Sequence, residues 1–327
     1  MTVALSRRAL LAGVGGALLA SACARSGGER GVVRVGVMAN LTHAPILAGL
    51  ASGRLARAIA PTKLESRVFR AGPRVTEALL GGAIDLGSSG PAAIVSTHAR
   101  HPSALRILGG IASGGASFVV AKTAGITRAD DLRGKSLATP QIGSTQDVAL
   151  RKYLRDHGLE VVDRGGDVRL LALASSDIRV QMMRGQLAGA WLPEPWATRL
   201  VSEGIATRLF DERTLWDGGR FATALLAGRR DFEQARATET AAIAEALRVE
   251  VARALADPVA CEEEAYGEVK RLVSNPGPRP LFHEAWSMVD FTNDPMKLEV
   301  AAFARDAEAL GLVPQVRCDA LFRAALS

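Results

Sequence analysis

Valine recurs around Arg34 and Gly36 over residues 32–38, an alternation with period two that marks a half-buried strand. After Asn40 to Pro45 the period lengthens, and apolar residues spaced for a helix run over 45–57. Pro45 suits the first turn, where its missing N–H leaves nothing unpaired. The two periods keep exchanging: strand 64–69, helix 71–80, strand 84–87, helix 91–99, strand 105–111. Strands alternating with helices of this length predict βαβ units and a parallel sheet. The glycine- and serine-rich stretch 112–117 interrupts the pattern, which then restarts. Strands are expected at 118–121, 136–138, 168–172 and 188–192, with helices at 146–157, 177–185 and 193–203 between and after them. Two further strands, 206–210 and 220–227, return the chain. Beyond Arg230 everything reads as helical, most clearly over 241–255 and 294–310.

A weak repeat sharpens this picture. Residues 79–87 line up with 182–190, so Ser88-Ser89-Gly90-Pro91 stands opposite Trp191-Leu192-Pro193-Glu194. Two similar lobes are expected, each presenting a strand that turns into a helix, with crossings near 112–117 and 220–227.

The 327 residues are 48% hydrophobic and 23% charged, which suits a globular chain of one large or two medium domains. The net charge of +6 comes from scattered single arginines without interleaved aromatics, so a solvated surface is expected and no nucleic acid partner. Ser6-Arg7-Arg8-Ala9-Leu10-Leu11 resembles a twin-arginine export signal. Residues 9–22 carry no charge but fall short of the roughly 20 apolar residues that span a bilayer. Leu19-Ala20-Ser21-Ala22-Cys23 resembles a lipoprotein cleavage site, with Ala20 where leucine is usual. Residues 1–22 are thus read as a signal peptide, Cys23 as the lipidated residue and 23–31 as lipid site and tether. The expected location is the outer face of the cytoplasmic membrane, where no ATP or NAD is supplied. Cys261 and Cys318 either pair, worth about 4 kcal/mol in the chain-entropy picture, or stand as two small buried apolar residues.

No G-x-S-x-G elbow, P-loop or Cys-x-x-Cys occurs, and no catalytic residue or cofactor is expected. His98 and His101 have metal-like spacing but no third ligand, so they are read as capping a helix end, with no metal. What the chain offers is small polar residues where strands turn into helices: Asn40, Thr42 and His43; Ser88, Ser89 and Gly90; Gly143, Ser144 and Thr145. Ligands of open α/β sheets bind outside the carboxyl ends of the strands. Converging helix N-termini can hold an anion there through N–H donors and partial positive charge. Ser144 or Thr145 caps the helix that follows, a role compatible with donating to a ligand. Trp191 and Trp196 are candidates for a pocket wall or for core. Glu194 is a candidate for a ligand amine, for Arg220 or for a backbone donor; Arg220 is a candidate for the cleft or for a surface ion pair.

Several of these segments together resemble the nitrate/sulfonate/taurine family of substrate-binding proteins of bacterial ABC importers. They are Asn40 to Pro45, Ala71-Gly72-Pro73, Thr139-Pro140-Gln141, Gly143 to Asp147, Trp191 to Trp196, Gly218 to Phe221 and Phe291 to Asp294. Within the family the likeness is to the aliphatic-sulfonate-binding branch. The resemblance implies a type II periplasmic binding fold: two α/β lobes joined by two crossing segments, with C-terminal helices on lobe 1. Lobe 1 is expected over 32–113 and 222–327, and lobe 2 over 114–221. It implies a monomer that binds a small sulfonate-like anion, closes, and docks on an ABC permease, the lipid at Cys23 holding it to the membrane. Related members take nitrate, taurine or thiamine precursors, which stay open as ligands. An enzyme on this fold, as in the distantly similar thiamine-pyrimidine synthases, needs a metal and a cysteine- or histidine-rich segment. This chain has neither near its expected cleft. Arg74 departs from the family pattern, where a small residue is usual, and would alter anion selectivity if it faced the cleft.

Overall fold

The computed structural model describes residues 31–322, so the signal segment, Cys23 and most of the tether lie outside the described residues. The first exchanges of period become β1 (Val32–Met38), α1 (Ala44–Ala51), α2 (Arg54–Ala58), β2 (Lys63–Phe69), α3 (Gly72–Leu80), β3 (Leu86–Ser89), α4 (Pro91–Arg100) and β4 (Leu105–Gly114). The helix expected over 45–57 is two, because Gly53 takes a left-handed φ of 71° between them. The middle of the chain gives β5 (Ala116–Ala121), β6 (Ser136–Thr139), α5 (Thr145–Asp156), β7 (Arg169–Ala172), α6 (Ser175–Met183), β8 (Gly189–Pro193), α7 (Trp196–Ser202) and β9 (Ala206–Asp211). The return is β10 (Ala222–Arg229), followed by α8 (Arg230–Ala235), α9 (Ala237–Ala256), α10 (Pro258–Leu272), α11 (Arg279–Trp286), β11 (Val289–Phe291) and α12 (Lys297–Ala309).

Two sheets result, ordered β11-β4-β10-β3-β1-β2 and β7-β6-β8-β5-β9. Neither is the purely parallel sheet expected from the alternation. β1 pairs parallel with β3, and β6 parallel with β7 and β8. The strands that carry the chain between sheets run the other way. β10 is antiparallel to both β3 and β4, and β5 to both β8 and β9. β4 passes almost directly into β5 through Gly114 and Gly115, both at φ 72°, a backbone that side chains resist. The expectation of an all-helical tail also fails: β11 adds an antiparallel edge to residues 112–114 of β4. Three residues are too few for a period to show in the sequence, and the strand exists only because β4 supplies its ladder.

Both faces of each sheet are covered, as in doubly wound folds. On the first sheet, Val33, Val35, Leu86 and Leu226 pack with α1, α9 and α10, while Ile84, Leu225 and Ala227 pack with α3, α4 and α12. On the second, Phe118, Val120 and Trp191 belong to one cluster, and Val119, Ala190 and Leu192 to the other. Cys261 lies in the first of these clusters and Cys318 in the second, so they sit on opposite faces of the first sheet. Both are free and buried, which removes the possible disulfide. Burial pushes the Cys261 thiol up to about 12, so it stays protonated and behaves as an apolar side chain. Among the described residues no helix is long and apolar enough to cross a membrane, and no group of acidic, histidine and cysteine side chains is placed to hold a metal.

Candidate binding cleft

The strand-to-helix corners of the two sheets come together. After β1, Asn40 turns the chain with its Oδ1, which accepts from the Thr42 N–H at 3.4 Å. Thr42 and His43 are buried behind it. A Cβ placed on Gly115 would lie 3.0 Å from Thr42 Cγ2, so this turn rests against the crossing from β4 to β5. His43 Nδ1 is buried without a partner, and burial lowers its pKa to about 3, leaving a neutral imidazole.

The second corner is the end of β3. Ser89 Oγ donates to the Gly72 carbonyl at 3.3 Å, while Ser88 Oγ is buried without a partner. Gly90 caps α4 and Pro91 fills its first position. Across from it, Ser144 caps α5: its Oγ accepts from the Asp147 N–H at 3.2 Å. The Asp147 carboxylate reaches back to the Gly143 N–H at 2.9 Å, so the expected capping interaction forms one residue earlier than in a regular capping box. Gly143 meets the turn with φ 70°.

The two helix starts touch. A Cβ placed on Gly90 would lie 2.8 Å from Thr145 Oγ1 and 3.4 Å from the Thr223 carbonyl. The crossings are tied beside this point, since Thr223 Oγ1 donates to the Gly114 carbonyl at 2.5 Å and the Phe221 N–H donates to Ser113 Oγ at 3.2 Å. Unpaired N–H groups of two helices, of ten and twelve residues, therefore start from neighbouring points on different sheets.

Three candidates do not belong to this group. Trp191 is no pocket wall. Both faces of β8 are buried, and Trp191 points into the aromatic core, stacked on Phe118 at 5.5 Å and edge-on to Phe210 at 5.4 Å. Its indole donates to Glu212 Oε2 at 2.6 Å. Glu194 is fully buried and structural. Oε2 accepts from the Thr198 N–H at 2.9 Å, the backbone-donor alternative, and Oε1 from Arg208, not Arg220, at 3.1 Å. Burial raises the Glu194 pKa and Arg208 opposes the rise. Arg220 points away to Asp294 at 2.9 Å and Glu299 at 3.5 Å, so its charge is compensated at the start of α12. Arg74 is exposed and paired with Glu77, and Trp196 is half-buried with the Arg199 guanidinium over its ring at 5.1 Å.

Two residues were passed over. Thr139 Oγ1 and Gln141 Oε1, at the carboxyl end of β6, are buried without partners. Thr139 ends β6 and Gln141 lies two residues beyond it, as Asn40 lies two residues beyond β1, so the preference of ligands for strand ends points to them as well.

A sequence model of the NMT1-like family matches residues 26–265, most of the chain. The chain belongs to the NMT1-like family. No curated protein sequence matches it. Among solved structures, the NMT1-like chain is similar to the aliphatic sulphonate binding protein SsuA of Escherichia coli, with 21% identity and a TM-score of 0.72 over 88% of this chain and 95% of that one. The alkanesulfonate-binding SsuA of Xanthomonas axonopodis pv. citri, bound to MOPS, gives 20% identity and 0.71 over 88% and 96%. The nitrate-binding protein NrtA of Synechocystis PCC 6803 gives 14% identity and 0.75 over 90% and 86%. At such identities the likeness is one of fold, and the fold is the two-lobed type II periplasmic binding fold.

Proposed function

We propose that this NMT1-like chain is an extracytoplasmic solute-binding lipoprotein. It captures a small organic anion, an aliphatic sulfonate, between its lobes, delivers it to an ABC permease as a monomer, and is anchored through lipid on Cys23. The lobes of this reading are residues 32–113 with 222–327, and 114–221. Its carrying observation is the meeting of the α4 and α5 N-termini at Gly90 and Thr145. Each helix start contributes unpaired N–H groups and about half a positive charge. Ser88 Oγ, two residues before Gly90, and His43 Nδ1 and Thr139 Oγ1, beyond β1 and at the end of β6, lack partners among the described residues, and a buried polar atom without one costs roughly 1–3 kcal/mol. An oxyanion placed there would take these donors without needing an arginine. Because they come from two lobes, the anion would favour the closed arrangement by as much as it binds that arrangement more tightly. No bond is broken in this reading. The sulfonate assignment draws on the two sulfonate-binding neighbours of this fold, and the nitrate-binding neighbour makes nitrate the competing outcome.

Calorimetry on protein lacking residues 1–22 tests the ligand. Short alkanesulfonates are expected to bind with clear heat, and Ser144→Ala with Thr145→Ala should weaken them at least about tenfold, or 1.4 kcal/mol. Silence towards sulfonates with heat from nitrate or an aminopyrimidine would reassign the ligand; unchanged affinity in the variant would leave both residues as helix caps only. The anchor has its own test. Cys23→Ala is expected to move the protein from the membrane fraction to the soluble one, and retention at the membrane would remove the lipid reading.

A further inference from the structure

Just ahead of the return crossing lies a buried acid that ligand binding does not use. Glu212 follows β9 in a single turn, Glu212–Leu215, and is fully buried. Its carboxylate lies between two indoles: Trp191 Nε1 donates to Oε2 at 2.6 Å and Trp216 Nε1 to Oε1 at 3.3 Å. The two tryptophans belong to different surroundings. Trp191 is fixed in the aromatic core of the second sheet, with Phe118, Phe210 and Tyr153. Trp216 is half-buried, stacks on Phe221 at 5.7 Å, and packs against core clusters of both sheets. It is the more exposed of the two indole donors to Glu212, and it links the cores of the two sheets.

Among the described residues, the charged groups around Glu212 give it no cation. Asp211, on its own segment, repels the ionised form. Arg213 donates to Asp211 at 2.8 Å and to Asp290 of β11 at 3.2 Å, so its charge is spent on those carboxylates. Asp217 is exposed on the next turn. From α5, Tyr153 packs edge-on to Trp191, with His157 beyond it at 4.3 Å from the Tyr153 ring; β5 and β9 present Phe118 and Phe210. Arg220 is engaged by Asp294 and Glu299.

We propose that Glu212 is a proton-operated latch on the hinge, which favours the closed arrangement when protonated and the open one when ionised. An ionised carboxylate here has two indole donors and no counter-charge, so ionisation favours any arrangement that lets water reach it. Opening the lobes must move Trp216 relative to one of the two cores it touches, and with it one of the two indole donors to the carboxylate. Burial, opposed by the two indoles and reinforced by Asp211, pushes the Glu212 pKa up to about 7, so the latch works in the range a cell envelope meets. The inference rests on the closure described under Proposed function, and not on the identity of the ligand.

Ligand-free protein tests it. With 5-fluorotryptophan at the four tryptophans, the fluorine resonances of Trp191 and Trp216 should titrate together with a midpoint near 7, while Trp196 and Trp286 stay still. Glu212→Gln should abolish the titration. Trp216→Phe, which keeps the ring but removes one donor to the carboxylate, should raise the midpoint. Small-angle scattering of the wild type should show a smaller radius of gyration at pH about 6 than at pH about 8, and Glu212→Gln should stay small at both. A titration that survives in Glu212→Gln overturns the assignment, and a radius that ignores pH while the resonances titrate overturns the latch. Absence of sulfonate binding with the pH-dependent radius intact would count against the ligand and still support the latch.

Discussion

Gly90→Val is expected to weaken anion binding at least about 100-fold, or 2.7 kcal/mol, with the melting temperature moved by only a few degrees. Gly90 has an extended backbone, φ −76° and ψ 160°, which valine adopts readily, so the substitution strains no turn. The conflict across the cleft is with Thr145 Oγ1, 2.8 Å from the new Cβ, with two methyl groups beyond it; the Thr223 carbonyl, 3.4 Å away, belongs to β10 on the same sheet as Gly90. Opening relieves that overlap without unfolding either lobe, and overpacking of this kind typically costs about 1–3 kcal/mol. Scattering should therefore show a protein held open, and calorimetry a lost ligand. Gly90→Ala paired with Thr145→Ala removes the 2.8 Å contact and leaves Thr145 Cβ at 4.0 Å, so the closed shape should return. Wild-type affinity in Gly90→Val would show that the two helix starts do not have to meet.

The second large effect is a pair of opposed pH dependences that hide each other. His43 is held neutral, its pKa lowered from 6.5 to about 3 by burial, so its contribution to stability is present above 6.5 and lost as pH falls towards 3. Glu212 is held protonated, its pKa raised from 4.5 to about 7, so its contribution is present below 4.5 and lost as pH rises through 7. Between 4.5 and 6.5 the two slopes have opposite signs and cancel. Each spans roughly 3–5 kcal/mol at about 1.36 kcal/mol per pKa unit. Urea unfolding of variants should separate them, taken as differences from the wild type so that other groups drop out. Relative to wild type, His43→Gln should lose stability as pH rises from 4.5 to 6.5, and Glu212→Gln should lose it as pH falls across the same window. Parallel curves for all three proteins would show that neither group is held in its neutral form.

The corners that make the cleft were legible because they are local. Ser88-Ser89-Gly90-Pro91 and Gly143-Ser144-Thr145 carry turn and cap chemistry within a few residues: the expected cap forms at Ser144, and the helix after Gly90 starts at Pro91. Thr139 and Gln141 are equally legible, since they stand at the carboxyl end of β6. The errors have a common cause. Trp191 stands between Ala190 and Leu192, so all three positions are apolar and no period tells which face meets the aromatic core. Glu194 and Arg220 find their partners at Arg208 and at Asp294, residues set by the packing of other strands and helices. Cys261 and Cys318 are separated by a sheet that the spacing of two cysteines does not reveal.

The sequence by itself determined the succession of strands and helices, the two corners with their caps, and through those segments the family and its two-lobed fold. These follow from side-chain periodicity and from hydrogen bonds between near neighbours, which any short stretch carries with it. The tertiary structure alone decided that two crossing strands run antiparallel, that a three-residue strand closes the first sheet, and which charges are cancelled. It also decided that Trp191 and Glu212 form a buried pair beneath Trp216. Those outcomes depend on what distant segments bring to the same place, and burial, which sets the protonation of His43 and Glu212, exists only once they have met.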